Sequence, residues 1–136
     1  MLTEIVVPLE NKPGTLAKVA EVLGAAGVNL QGIGYATGVR GVMRIIVDDS
    51  NKALAALKKA KLKVKQAKEV LELTLPDTPG ALGAVARKLA KGRINIEAFY
   101  VVGIESSRLR CVLAVNKLDK ARAVPTPDRA SIIIPP

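Results

Sequence analysis

Residues 11–30 read NKPGTLAKVAEVLGAAGVNL, and residues 77–96 read DTPGALGAVARKLAKGRINI. Pro13 aligns with Pro79, Gly14 with Gly80, Leu16 with Leu82, Val19 with Val85, Ala20 with Ala86, Leu23 with Leu89 and Asn29 with Asn95, each pair 66 residues apart. A register held without gaps through a helical pattern and both its flanks identifies a duplicated unit. Two copies are too few for a solenoid, so each is expected to be a small domain.

Outward from the first copy, Pro13-Gly14 breaks the chain, and Leu16, Val19, Ala20, Leu23 and Ala26 then recur at helical spacing. Gly27 follows that stripe as the expected helix C-cap. Ahead of the turn, Ile5, Val6, Val7 and Leu9 read as a strand, and Pro8 marks it as an edge strand or one that ends early. Behind it, residues 28–36 and 42–47 read as a hairpin around TGVRG at 37–41. A second helix, capped by Asp49 or Ser50 with Leu54 and Leu57 inward, is expected next, and LKVKQ at 62–66 returns as a fourth strand.

The order β-α-β-β-α-β is the split βαβ pattern of ferredoxin-like domains: an α+β fold with an antiparallel sheet and helices on one face. In the second copy, residues 70–75, 94–104 and 108–115 read as strands and 81–91 as a helix. After Val115 only LDKARA is left for a helix before Pro125 and Pro127, with Ile132, Ile133 and Ile134 for a last strand. The expected domains are therefore residues 1–68 and 69–136, the second abbreviated or irregular after 115. Strands such as RIIV and CVLAV lack polar alternation, so both sheet faces should be covered, the outer one by the sister domain or a second chain. Units of this size bury only about 60% of their unfolded surface, which makes self-association, as a homodimer or larger homo-oligomer, the default expectation.

The composition narrows the chemistry. Histidine is absent and Cys111 is the single cysteine, which removes the commonest general base and the usual zinc sites. No catalytic residues, cofactor or metal are expected, and Cys111, in CVLAV, is expected to be a buried apolar thiol. No basic-then-apolar leader follows Met1, and no apolar run is long enough to span a bilayer, so the expected location is cytoplasmic with no membrane partner. The net charge of +9 gathers on Lys52, Lys58, Lys59, Lys61, Lys63, Lys65 and Lys68, read as a solvated face. RNA-recognition domains share the βαββαβ order but stack bases on aromatic side chains of the central strands, and VMRIIV and LRCVLAV carry none. Nucleic acid is therefore not the expected partner.

The two turns are the candidate site. A helix start presents unpaired N–H groups and the positive end of a dipole, which suits a carboxylate. Glycine allows close approach to the backbone, and Asn11 or Asp77 offers an acceptor for an ammonium group. The same residues also serve as plain helix cap and turn, and spacing alone leaves both readings open. Asn29-Leu30 and Asn95-Ile96 open the second strand of each copy and are read either as turn residues or as neighbours of the loop. Thr15, Ala81, Gly32 and Ala98 are small, which suits a small ligand.

ENKPGTLAKVAEVLGAAGVNLQGI and LPDTPGALGAVARKLAKGRINIEAF resemble the opening of ACT domains, an Asn/Asp-x-Pro-Gly turn, an apolar helix and an Asn-Ile-like second strand. The resemblance covers two copies to about Val115. It implies regulatory modules that bind amino acids at domain interfaces, between the first turn of one module and the second strand of another. Carried onto matching positions, it places Asn11, Pro13, Gly14, Thr15, Asn29 and Leu30 in one half-site, and Asp77, Pro79, Gly80, Ala81, Asn95 and Ile96 in the other. The chain looks closest to standalone tandem ACT proteins that act as metabolite sensors, partnered by a free amino acid and a regulated enzyme. The alternative is a protein-interaction subunit of an amino-acid biosynthetic enzyme, similar to acetolactate synthase small subunits, without its own ligand. Those subunits lack an obvious second Pro-Gly turn, and this chain has one.

Overall fold

Apolar residues at period two draw the first part of the chain into strands β1 (Thr3–Pro8), β2 (Leu30–Ala36), β3 (Val42–Val47) and β4 (Gln66–Glu69). The sheet order is β2-β3-β1-β4, with β1 and β2 both antiparallel to β3. Helices α1 (Thr15–Ala25) and α2 (Ser50–Lys59) cover one face, where Val19, Leu23, Ala53 and Leu57 pack against Ile5, Val7, Met43, Ile45 and Val47. Each Leu or Val removed from water here contributes about 1.5–3 kcal/mol. Asp49 caps α2, its carboxylate accepting the Lys52 N–H at 3.1 Å.

The computed structural model describes residues 2–10, 12–36, 41–124 and 132–133. The chain divides into two units, Met1–Lys68 and Glu69–Pro136. In the second, β5 (Leu71–Pro76), β6 (Ile96–Glu105), β7 (Arg108–Val115) and β8 (Ile132–Ile133) form a sheet of order β6-β7-β5-β8. Helix α3 (Ala81–Lys91) sets Val85 and Leu89 on Leu71, Leu73, Leu75, Cys111 and Leu113. The second helix is reduced to α4 (Leu118–Arg122), whose Ala121 is buried, and β8 pairs with β5 through Glu72 and Leu73. This is the ferredoxin-like α+β fold read from the sequence, shortened at its end. Residues 37–40 of the expected TGVRG turn and Ile134 of the last strand lie outside the described residues.

Three helices end alike. After α1, Gly27 at φ 75 donates to the Gly24 carbonyl at 3.0 Å, and Val28 donates to Leu23 at 3.0 Å. After α2, Lys61 at φ 60 and Leu62 make the same pair to Lys58 and Leu57, at 3.0 and 2.9 Å. After α3, Arg93 at φ 58 and Ile94 repeat it to Ala90 and Leu89, at 2.9 and 3.0 Å. These are Schellman closures, in which a left-handed residue lets two orphan carbonyls find donors. Glycine takes that position once and bulkier side chains take it twice.

Three expectations are corrected in detail. Pro8 does not mark an edge strand: β1 lies between β3 and β4, and the proline is tolerated because it is the last residue of β1. The fourth strand starts at Gln66 rather than Leu62, because the left-handed Lys61 leaves residues 62–65 to cross the helix end. Leu62 and Val64 of that crossing still pack against the core, which explains their apolar alternation. On α1 only Val19 and Leu23 are buried, and Leu16 and Ala20 are exposed, so the helix seats on a narrower stripe than its pattern offers.

The sheet faces turned away from the helices are buried as well, at Val6, Ile46, Val112 and Ala114. Each carries one ion pair. Arg44 Nη1 donates to both carboxylate oxygens of Glu4, at 3.1 and 3.2 Å, and Arg110 Nη2 and Nε donate to Glu72 Oε1, at 2.7 and 3.2 Å. The hydrogen bonds to Glu72 raise the proton affinity of the Arg110 guanidinium above its ordinary value. Arg44 and Arg110 occupy matching positions of the two copies, whereas Glu4 and Glu72 are 68 residues apart.

Candidate functional site

That offset separates the two turns. β1 ends with Pro8 opposite Val42, and Leu9 N–H donates to the Gly41 carbonyl at 3.0 Å. β5 ends with Pro76 opposite Arg108, and Asp77 N–H donates to the Ser107 carbonyl at 2.8 Å. Ser107 and Arg108 follow Gly41 and Val42 by 66 residues, but Pro76 and Asp77 follow Pro8 and Leu9 by 68. The first strand-to-helix turn therefore has six residues (9–14) and the second four (77–80). Asp77, aligned with Asn11 in sequence, takes the place of Leu9 in the sheet. Its backbone is fastened to the β6–β7 hairpin.

The longer turn frames a cleft of about 360 Å³, lined by Leu9, Pro13, Gly14, Thr15, Lys18 and Leu62 among others. Gly14 is the N-cap of α1 at φ 92, as Gly80 is of α3 at φ 86, and neither helix has a side-chain cap bond. A Cβ at either glycine would meet nothing within 4 Å, so the left-handed backbone, not crowding, calls for glycine. The Thr15 hydroxyl donates to the Lys12 carbonyl at 3.1 Å and closes the turn on itself. Glu10 and Lys12 form an exposed ion pair at 3.0 Å. Lys18 lines the cleft one helical turn after Gly14, and its counterpart in the second copy is Ala84.

Of the expected site residues, the structure brings Pro13, Gly14 and Thr15 together at the first cleft and Asp77, Pro79, Gly80 and Ala81 at the second turn. Asn11 lies outside the described residues. Asn29 and Leu30 do not join the first turn of their own module. Leu30 pairs with Val47, whereas the turn starts beside Val42, five strand steps or about 17 Å away. Asn95 and Ile96 likewise stand at the far end from 77–80, since Ile96 pairs with Val115 and Pro76 with Arg108. Asn95 N–H donates to Asn116 Oδ1 at 2.9 Å, and Asn116 N–H donates to the Asn95 carbonyl at 3.2 Å, a structural clasp.

Lys18 and Leu62 complete the first cleft and were not singled out by the repeat. Lys18 was legible as the residue one helical turn after the glycine; Leu62 comes from the other end of the module and leaves no local signal. Away from the turns, Cys111 is fully buried, and burial pushes its thiol up to about 11, so it stays protonated at neutral pH. Among the described residues, no group of three or more His, Cys, Asp or Glu could hold a metal ion, and no helix is long and apolar enough to cross a membrane.

These features define a pair of ferredoxin-like modules, each with a glycine-capped strand-to-helix turn. The family described as the ACT domain pair matches residues 1–133, and the chain belongs to it. A protein of Bacteroides thetaiotaomicron of known structure is 32% identical, over 88% of this chain and 82% of that one, with a TM-score of 0.76. The ligand-free regulatory subunit of aspartate kinase from Thermus thermophilus shares the fold, with a TM-score of 0.63 at 19% identity over 88% and 85% of the two chains. The corresponding subunit from Thermus flavus shares it with a TM-score of 0.65 at 18% identity over 88% and 86%. No curated protein matches this chain in sequence.

Proposed function

We propose that this ACT domain pair is a non-catalytic regulatory module that binds a small free amino acid at an interface between ACT modules and acts as a cytoplasmic metabolite sensor. The observation that carries the reading is the open cleft at the six-residue turn, set at the start of α1. The first-turn amides of α1 and Lys18 would hold the ligand carboxylate, and Asn11, by its place in the turn, would accept from the ammonium. Asn29 and Leu30, far from that turn within their module, would serve a ligand held by another module's turn, as would Asn95 and Ile96. A homodimer or larger homo-oligomer, with a regulated enzyme as partner, is part of the same proposal.

The two turns are not equivalent in this reading. The second is two residues shorter and bonded to the hairpin at Ser107, so Asp77, Pro79, Gly80 and Ala81 form the weaker half-site. A non-catalytic role is supported by a sequence without histidine and by the buried, protonated Cys111. The test is a thermal-shift panel of the common amino acids at ~10 mM, since ligand at ~100 times its dissociation constant stabilises by about 2.7 kcal/mol. One amino acid should raise the melting temperature by several degrees, and Asn11→Ala should abolish that shift while Asp77→Ala leaves most of it. A flat panel refutes the sensor and leaves the protein-interaction subunit.

A further inference from the structure

We propose that a lysine-rimmed apolar groove at the end of α2 docks an acidic amphipathic segment of a partner protein. The groove encloses about 540 Å³; Leu54, Leu62 and Val64 form its floor and Lys58, Lys61 and Lys63 its rim. The local chain explains the arrangement. The left-handed Lys61 ends α2, and in residues 62–65 the side chains alternate, Leu62 and Val64 packing inward while Lys61 and Lys63 stay exposed. Among the described residues, none of the three rim lysines is ion-paired within the chain.

The charge is concentrated here. Residues 50–68 hold seven lysines and no acidic residue, while the matching residues 116–134 of the second copy include Asp119 and Asp128 and lack the alternation. The groove is therefore not inherited from the repeat, and it stands independently of whether the turns bind an amino acid.

The occupant follows from two chemistries at alternating spacing. A phosphate backbone would satisfy the lysines but leave the aliphatic floor without a partner, and none of the aromatics Tyr35, Phe99 and Tyr100 lines the groove to stack a base. A lipid surface takes up protruding apolar side chains, and here they are recessed beneath the lysines. A peptide segment with carboxylates flanking Leu or Ile matches both, its aliphatic side chains on the floor and its carboxylates on the rim.

The test is fluorescence anisotropy on the full chain, with a short fluorescein-labelled peptide in which glutamate pairs alternate with leucine pairs as the probe. Replacing the rim by Lys58→Glu, Lys61→Glu and Lys63→Glu together is expected to weaken binding about tenfold or more, three exposed charge pairs being turned repulsive. Val64→Ser should weaken it several-fold; should that variant melt early, Lys63→Ala, at an exposed position, carries the test with a loss of about threefold. Polyglutamate of equal length should bind at least about tenfold more weakly than the probe, because it cannot use the floor. Unchanged affinity after charge reversal, no probe binding at low salt, or equal binding of polyglutamate, duplex DNA or phosphatidylserine vesicles would overturn the proposal.

Discussion

Deleting Leu9 and Glu10 would make the two turns alike. Pro8 would then join Asn11, giving Pro-Asn-Lys-Pro-Gly where the second copy has Pro-Asp-Thr-Pro-Gly at 76–80. Shortening the loop from six residues to four relieves about 0.4 kcal/mol of closure entropy, from the (3/2)RT ln n dependence. Losing the half-buried Leu9 costs about 1 kcal/mol, roughly half of a full leucine burial. The net destabilisation, about 0.6 kcal/mol, lowers the melting temperature by only a few degrees, so the variant should fold. The cleft, lined in part by Leu9 and Glu10, should close, and with it the response to the amino acid. The assay is differential scanning fluorimetry of both proteins across the same ligand series. Full retention of the ligand shift in the deletion variant would refute the assignment of the long turn as the site. A loss beyond about 3 kcal/mol would instead show that the shorter turn cannot hold β1 in register.

Other expectations rest on single features. Arg93→Gly and Lys61→Gly should each stabilise by about 0.5–1 kcal/mol in urea unfolding, since both residues sit at positive φ, while Gly27→Ala should destabilise by about 1 kcal/mol. Ser106-Ser107, at φ 47 and 64, form a two-residue hairpin turn, and replacement by Asn-Gly should stabilise by about 1 kcal/mol if the Asp77 bond to residue 107 is kept. Arg110→Met strands the Glu72 carboxylate, 8% exposed, and should cost about 2 kcal/mol, most of it recovered by adding Glu72→Leu, as equilibrium unfolding of the two variants will show. Cys111 has a folded pKa raised by burial from 9.0 to about 11, so the stability it contributes is present below pH 9 and lost as pH rises toward 11. Cys111→Ala should flatten that alkaline limb, and native Cys111 should react with a thiol reagent only on unfolding.

The fold was legible because duplication doubled each signal: the Pro-Gly turn, the helical stripe and the apolar strands all appear twice at one spacing. Element ends were less so. Lys61 and Arg93 carry no glycine signature, yet they end their helices as Gly27 does, because the two carbonyl-satisfying bonds and the packing of the next apolar residue outweigh the left-handed strain. The fourth strand was read four residues early because Leu62 and Val64 alternate like a strand while only crossing to one. For the site, Pro13, Gly14 and Thr15 could be read locally. Leu62 could not, since its approach depends on how α2 ends. The distance from Asn29 to the turn was equally hidden, being set by the length of β3 and not by any residue at the site.

Glycine and proline in the turns act as fixed posts. On the strand side each turn begins at a proline followed by a bonded N–H, Leu9 to Gly41 or Asp77 to Ser107, and on the helix side each ends at a left-handed glycine. Whatever lies between is an exchangeable cassette. Its two lengths here differ by an even number, so the sequence alignment and the sheet register assign every β1 and β5 side chain to the same face. For an engineer, the chain thus offers one scaffold with two sockets, in which pocket size is adjusted by the length of the insert while the strand, the helix and the core between them are left untouched.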